Sequence, residues 1–262
     1  MTDQDNTGPI AVVTGGAGDI GRAIARALRA THRIALVDIN EPALCKAQAE
    51  LEDAGRDVRS FRIDLTNPAD LAQLASELAA WGKTRVLVNN AGRAMVTSLQ
   101  SMTNDDLQID LDLNLKAALS CFKALEHDLK DNGCVINIAS VNGMGAFGHP
   151  AYSAAKAGLI HATQMMAVEY GKFGMRANAI APGTVRTQAW EDRAAKNPNV
   201  FDDALAWYPL KHLPTPDDIA QAVVFLTSPH ARSITGVCLP IDCGLSAGSP
   251  SLPRTFTQSA DY

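Results

Sequence analysis

The chain has 262 residues, 47% hydrophobic and 19% charged, with a formal net charge of -5. That length and composition suit one large domain with a sizeable core. The acidic balance, with no basic cluster, argues against nucleic acid or an anionic membrane as a partner.

Residues 1–9 read as a short polar, acidic extension with no signal pattern, and no apolar run is long enough to span a bilayer. The first strand is expected at 10–14, a β-branched run ending in glycines, followed by helical spacing over 20–28. Strand 33–37 and helix 41–54 come next, then strand 58–63 and helix 68–80. Strand 85–88 precedes one long helix over 105–129. Strand 134–138, helix 151–173, strand 176–180, helix 216–227 and strand 237–241 complete the pattern. Strands alternating with helices of this length predict an α/β fold with a parallel sheet covered on both faces. No linker or repeat divides the chain, and only 246–262, rich in Ser, Pro and Thr, reads as detached. The five cysteines are odd in number and scattered, as expected of reduced thiols in a cytoplasm. The six histidines are isolated, so no metal site is expected.

The stretch Tyr152-Ser153-Ala154-Ala155-Lys156 puts a phenol and an ammonium one helical turn apart on one face. A neighbouring positive charge is expected to lower the tyrosine's pKa from about 10 toward neutrality, where it exchanges a proton at working pH. Ser140 lies just upstream, at the end of an apolar run. The first strand ends in Thr14-Gly15-Gly16-Ala17-Gly18-Asp19-Ile20-Gly21, a glycine fingerprint between a strand and a helix. Such a turn brings backbone close to a pyrophosphate, at a helix end offering free N–H groups and a positive dipole. Asp38 ends the second strand, where a carboxylate accepts both adenosine ribose hydroxyls and repels a 2′-phosphate. Ile39 follows it, in place of a basic residue. Asn114 lies within a helix that it disfavours.

With Asp64-Leu65, Asn89-Asn90-Ala91-Gly92 and the stretch Pro182 to Thr187, these motifs cover 10–244 in order. In that order and spacing the chain resembles the short-chain dehydrogenases/reductases. The resemblance implies a single Rossmann-type doubly wound domain with a mostly parallel sheet of about seven strands. It also implies hydride transfer between a nicotinamide and a carbonyl or alcohol. It assigns Tyr152 as general acid/base, Lys156 to lowering the tyrosine's pKa and holding the nicotinamide ribose, and Ser140 to the substrate oxygen. Asn114 takes a helix kink and a water-linked proton relay from Lys156. The cofactor set it implies is Gly15, Gly18, Asp19 and Ile20 at the turn and Asp38 and Ile39 at the ribose. Asp64 and Leu65 flank the adenine, and Asn90, Ala91 and Gly92 line the adenosine ribose. Pro182, Gly183, Val185 and Thr187 lie toward the nicotinamide and pyrophosphate, beside Tyr152 and Lys156. One departure stands out: the family usually carries glycine where this chain has Asp19, and a carboxylate there should weaken pyrophosphate binding unless it turns away.

Residues 188–214 match the family's substrate lid. Asn142, His149, Gln188 and Trp190, with Arg93, are the candidate substrate contacts. Their polarity favours a polyol, a sugar derivative or a short hydroxy acid, oxidised with NAD. A 3-oxoacyl-thioester reductase and a non-catalytic NAD-binding protein are the alternatives. Asp38 and the acidic charge argue against the first, and the intact Ser140, Tyr152, Lys156 and Asn114 against the second. The family is commonly tetrameric, and Met165, Met166 and Val168 are expected to face outward. The tail is expected to lie against a neighbouring subunit.

Overall fold

In the computed structural model, which describes residues 8–52, 57–95, 97–249 and 251–261, seven parallel strands form one sheet. They are β1 (Ile10–Thr14), β2 (Arg33–Asp38), β3 (Val58–Arg62), β4 (Thr84–Asn89), β5 (Cys134–Ile138), β6 (Arg176–Pro182) and β7 (Cys238–Ile241), in the order β3-β2-β1-β4-β5-β6-β7. The order reverses between β1 and β4, so a crevice opens beyond the carboxyl ends of those strands.

Side chains alternate across each strand. On β1, Ala11 and Val13 face α1 (Asp19–Leu28), α2 (Glu41–Glu52) and α9 (Pro216–Thr227), through Ile24, Leu44 and Val223 among others. Ile10 and Val12 face α3 (Pro68–Trp81), α5 (Ala117–Leu129) and α6 (Pro150–Tyr170), through Leu74, Phe122 and Met166. Helix starts follow local chemistry. Asn67 caps α3 by accepting the Ala69 N–H, with Pro68 in the first turn. Thr215 and Asp218 form a capping box on α9.

Three expectations need revision, and the lid takes a form the sequence reading left open. The helix expected over 105–129 is α4 (Asn104–Leu111) and α5 joined by a π-helical turn, Asp112–Lys116, centred on Asn114. The lid carries two short helices, α7 (Gln188–Lys196) and α8 (Val200–Leu205). Met166 is not on the surface: it is buried in the core, while Met165 and Val168 are exposed. Beyond 244 the chain first folds back, with the Ser246 N–H donating to Asp242 Oδ2 at 2.7 Å, and then forms α10 (Ser251–Thr257). The expected end of α2 at Ala54 and the first seven residues lie outside the described residues. No helix among the described residues is long and apolar enough to cross a membrane.

Candidate active site

A cleft of about 760 Å³ lies over the reversal point of the sheet. Its floor is the turn between β1 and α1. Gly15 has φ +61°, and a side chain there would press on the Ala91 backbone; a side chain on Gly21 would collide with the Gly15 carbonyl. Gly18 differs: an added Cβ would meet nothing nearer than 3.5 Å and would stand in the cleft. The turn therefore leaves bare backbone beside the α1 N-terminus, which fits a pyrophosphate. Thr14 and Asn90 tie this turn to β4. Thr14 Oγ1 accepts the N–H groups of Asn90 and Ala91 at 3.0 and 3.1 Å, and Asn90 Nδ2 donates to the Thr14 carbonyl at 3.0 Å.

Asp38 and Ile39 line the far end of the cleft, with Asp64 and Leu65 across from them. Asp38 accepts the N–H groups of Ala17 and Asn40, which hold its carboxylate at the end of β2. Among the described residues, the charged side chains lining the cleft are Asp19, Asp38, Asp64 and Asp112, against the single cation Arg93. Ile20, Asn90, Ala91, Gly92 and Thr187 complete the expected set on this side.

The cleft runs into a second cavity of about 410 Å³, which shares Ile20, Asn90, Gly92, Arg93 and Thr187 with it. Here β5, α6 and the chain after β6 converge. Ser140, Tyr152 and Lys156 all line it, with Pro182, Gly183 and Val185 opposite. Ser140 hydrogen-bonds the Tyr152 hydroxyl and draws the phenol's pKa down. Burial works more strongly the other way, and the charge of Asp110 adds to it, so the net direction is up. The expected lowering of Tyr152 by Lys156 is thus not what the geometry gives. Lys156 Nζ stands 5.5 Å from the Tyr152 ring centroid and donates to the Ile138 carbonyl at 2.8 Å. Its ammonium is almost fully enclosed, and burial lowers its pKa to about 8.

Asn114 lines neither cavity. Its Oδ1 accepts the Arg93 N–H at 3.1 Å, and its Nδ2 donates to the carbonyls of Arg93 and Asp110 at 2.9 and 3.0 Å. The π-turn brings that side chain under the Gly92–Arg93 strap. An added Cβ on Gly92 would sit 3.3 Å from Lys156 Nζ and crowd Asn114 Oδ1, so this glycine lets both side chains approach.

Among the substrate candidates, Asn142, His149 and Trp190 line the second cavity, as does Arg93. Gln188 does not. Its side chain donates to Asp192 at 3.0 Å, and its backbone N–H donates to Asp19 Oδ2 at 2.7 Å. Asp19 also accepts from Arg22 at 2.7 Å, so its carboxylate is drawn sideways into an ion pair rather than capping α1. The lid aromatic Tyr208 is a structural anchor, buried and accepting the Thr184 N–H at 2.7 Å. Sequence reading passed over Arg193, Leu245 and Phe147, which line the cavity through folding of the lid, the tail and the β5–α6 loop. It also passed over Asp110, which sits one turn before Asn114. That spacing was the available signal.

Together the reversed sheet order, the bare glycine turn and a serine, tyrosine and lysine converging on one cavity define a dinucleotide-dependent oxidoreductase. A family model described as enoyl-(acyl carrier protein) reductase matches residues 15–246. A crystal structure of a short-chain dehydrogenase/reductase family oxidoreductase from Burkholderia thailandensis is 41% identical, covers 98% of this chain and 100% of its own, and superposes with a TM-score of 0.91. An uncharacterised oxidoreductase of Schizosaccharomyces pombe is 38% identical, over 94% of this chain and 93% of its own length. A 3-oxoacyl-[acyl-carrier-protein] reductase of Synechocystis is 35% identical, over 91% of this chain and 97% of its own. The chain belongs to the short-chain dehydrogenase/reductase family, whose oxidoreductases use nicotinamide cofactors.

Proposed function

We propose that this protein is an NAD(H)-dependent dehydrogenase that interconverts a secondary alcohol and its ketone on a small polar substrate. The observation that carries this reading is the convergence of Ser140, Tyr152 and Lys156 on a cavity open to the nicotinamide end of the cleft. When bound, a nicotinamide supplies the hydride acceptor or donor for the substrate carbon. The chain supplies the rest. As the phenolate, the Tyr152 oxygen takes the alcohol's proton during oxidation; as the phenol, it gives a proton to the carbonyl oxygen during reduction. The Ser140 hydroxyl donates to the substrate oxygen as charge develops there. Lys156 places a buried ammonium beside the phenol, and Asn114 holds the strap and α4 in register with Lys156. Gly15, Gly18, Asp19, Ile20 and Thr187 hold the pyrophosphate region. Asp38, Ile39, Asp64, Leu65, Asn90, Ala91 and Gly92 surround the adenosine, and Pro182, Gly183 and Val185 flank the nicotinamide.

NAD rather than NADP is favoured by the excess of carboxylates in the cleft, with Arg93 at the wrong end to meet a 2′-phosphate. The same feature weighs against the 3-oxoacyl-thioester reductase reading, which the Synechocystis relative otherwise supports. A second cavity of about 410 Å³ suits a small substrate better than a long acyl chain. A homotetramer in the cytoplasm completes the reading. Support comes from exposed Met165 and Val168 on α6, and from Leu252 and Phe256, one turn apart on α10. The five free cysteines, Cys121 and Cys134 buried among them, fit a reducing compartment.

The test is a titration with both cofactors followed by a panel of alcohols, polyols and hydroxy acids, read by the absorbance of reduced nicotinamide. In the same assay Tyr152→Phe is expected to keep NAD binding and lose turnover by about a hundredfold or more. Near-native turnover in that variant removes the assignment.

A further inference from the structure

The second cavity has a charge pattern opposite to that of the protein. The chain carries -5 overall, and the cofactor cleft is lined mostly by carboxylates. Yet the charged side chains lining the cavity are Arg93, Lys156 and Arg193, joined by His149, and no Asp or Glu lines it among the described residues. Lys156 is enclosed and committed to the Ile138 carbonyl. Arg93 and Arg193 are exposed at its mouth, one on the strap after β4 and one on the lid. The Arg193 guanidinium lies over the Trp190 ring, 4.6 Å from its centroid, which fixes it on the cavity side of α7.

A second observation points the same way. Asp110 is fully buried, and among the described residues neither carboxylate oxygen has a well-formed hydrogen bond, the Met95 backbone N–H being the donor that approaches it. An isolated buried carboxylate is unfavourable unless positive charge lies close by. Burial pushes the Asp110 pKa up, and the Met95 backbone amide and the neighbouring His149 and Arg93 work against that. Asp110 thus sits behind the cavity wall and draws two of its basic groups together. His149 is held by backbone geometry too. It adopts φ 53° at the start of α6, a conformation that a non-glycine residue rarely takes. The carbonyl of Gly148 before it is fixed by Asn142 Nδ2 at 2.9 Å and Ser153 Oγ at 2.6 Å. The imidazole then stands edge-on to Tyr152, at 6.5 Å between centroids.

We propose that Arg93, His149 and Arg193 form an anion-binding subsite, positioned from behind by Asp110, that selects a secondary alcohol carrying a carboxylate. The proposal rests on the dehydrogenase reading above and narrows it to hydroxy acids and their oxo acids. The carboxylate meets donors on two sides of the cavity, and the hydroxyl on the neighbouring carbons reaches Ser140 and Tyr152. A guanidinium fork matches a carboxylate in geometry as well as charge.

The test uses matched sets of 2- and 3-hydroxy acids, their methyl esters and the corresponding diols. Each is assayed for kcat/KM with NAD, and each is titrated calorimetrically into the NADH-loaded protein, where no turnover follows. The acids are expected to exceed their esters and diols by about tenfold or more in both measurements, the equivalent of one hydrogen bond to a charged group. The double variant Arg93→Gln, Arg193→Gln should bring the acid-to-ester ratio to about one, and Arg193→Gln alone, which keeps the Arg93 charge facing Asp110, should lower it. Asp110→Asn should lower the same ratio if positioning of Arg93 and His149 outweighs the carboxylate's own repulsion of an anion, and a higher ratio removes Asp110 from the subsite. If esters or diols are oxidised as well as acids, or the ratio survives in the double variant, the subsite is wrong and the dehydrogenase reading stands. If acids bind and the double variant loses that binding, but nothing is oxidised, the subsite stands and the dehydrogenase reading falls. If acids neither bind nor react, the subsite is overturned.

Discussion

Asp19 Oδ2 accepts the backbone N–H of Gln188 at 2.7 Å, joining the first helix after the glycine turn to the first residue of the lid helix. The two residues are 169 positions apart in the chain. The contact places a carboxylate against the amide end of α7, next to the pyrophosphate region of the cleft. Removing the charge should tighten NADH binding. Asp19→Gly is expected to lower the Kd by about fivefold, the scale of one partly exposed charge interaction. Asp19→Asn keeps an acceptor for Gln188 and so separates charge from tether. Fluorescence titration of NADH measures both, and weaker binding in Asp19→Gly would show that the tether outweighs the charge.

In the proposed NAD-dependent enzyme, Asp38 is expected to set the cofactor preference. NAD is expected to exceed NADP by on the order of a hundredfold in kcat/KM, because like charges brought together cost several kcal/mol. Asp38→Ser should shrink that ratio by weakening NAD and relieving NADP. Equal use of the two cofactors by the native enzyme would mean that Asp38 does not meet the ribose.

Lys156 sets a conflict between stability and activity. Burial lowers its pKa from the ordinary 10.5 to about 8. Between those values the unfolded chain binds more protons than the folded one, so native stability should rise as pH climbs from about 8 to 10.5. The enclosed ammonium costs on the order of 3 kcal/mol below that window. Loss of the hydrogen bond to Ile138 returns about 1 kcal/mol. Lys156→Met should therefore be inactive and more stable by on the order of 2 kcal/mol at pH 7, a rise of about 5 °C in Tm. Its advantage should shrink toward pH 10.5. Thermal melts across pH read this directly, and a destabilised variant at pH 7 contradicts it.

Asp110 raises the pKa of Tyr152, on top of burial, while the Ser140 hydrogen bond lowers it. Oxidation needs the phenolate, so its rate rises with pH through that pKa. Asp110→Asn removes the opposing charge and should move the rising limb of kcat/KM to lower pH. A limb that stays in place, or moves up, would mean that Asp110 does not act on the phenol.

The assembly prediction rests on Val168, 78% exposed on α6, with Met165 beside it. A homotetramer is expected at micromolar concentration by light scattering, and Val168→Glu should reduce its mass. A monomeric native protein excludes it.

The alternation of strands and helices, the glycine turn after β1, and the order of Asp38, Asn90, Ser140, Tyr152 and Lys156 were legible in the amino-acid sequence. They are local in character: period, turn chemistry and spacing act over a few residues. The helix break at Asn114 was foreseeable from the cost of asparagine inside a helix, though its form, a π-turn that lifts the side chain to Arg93, required the packing of α4 against α6. Met165 and Met166 are neighbours in the chain, and only the helix orientation decides that one is exposed and the other enclosed. The Tyr152–Lys156 spacing predicted a lowered phenol pKa; the fold reversed the direction, because burial depends on everything packed around the pair and not on the pair itself. Gln188 stood next to the pocket in the chain, yet its side chain turned to Asp192, while Arg193 and Leu245 reached the cavity from segments that carry no motif. Which charges face one another, and which are removed from water, depends on contacts between residues far apart in the chain, and those exist only once it has folded.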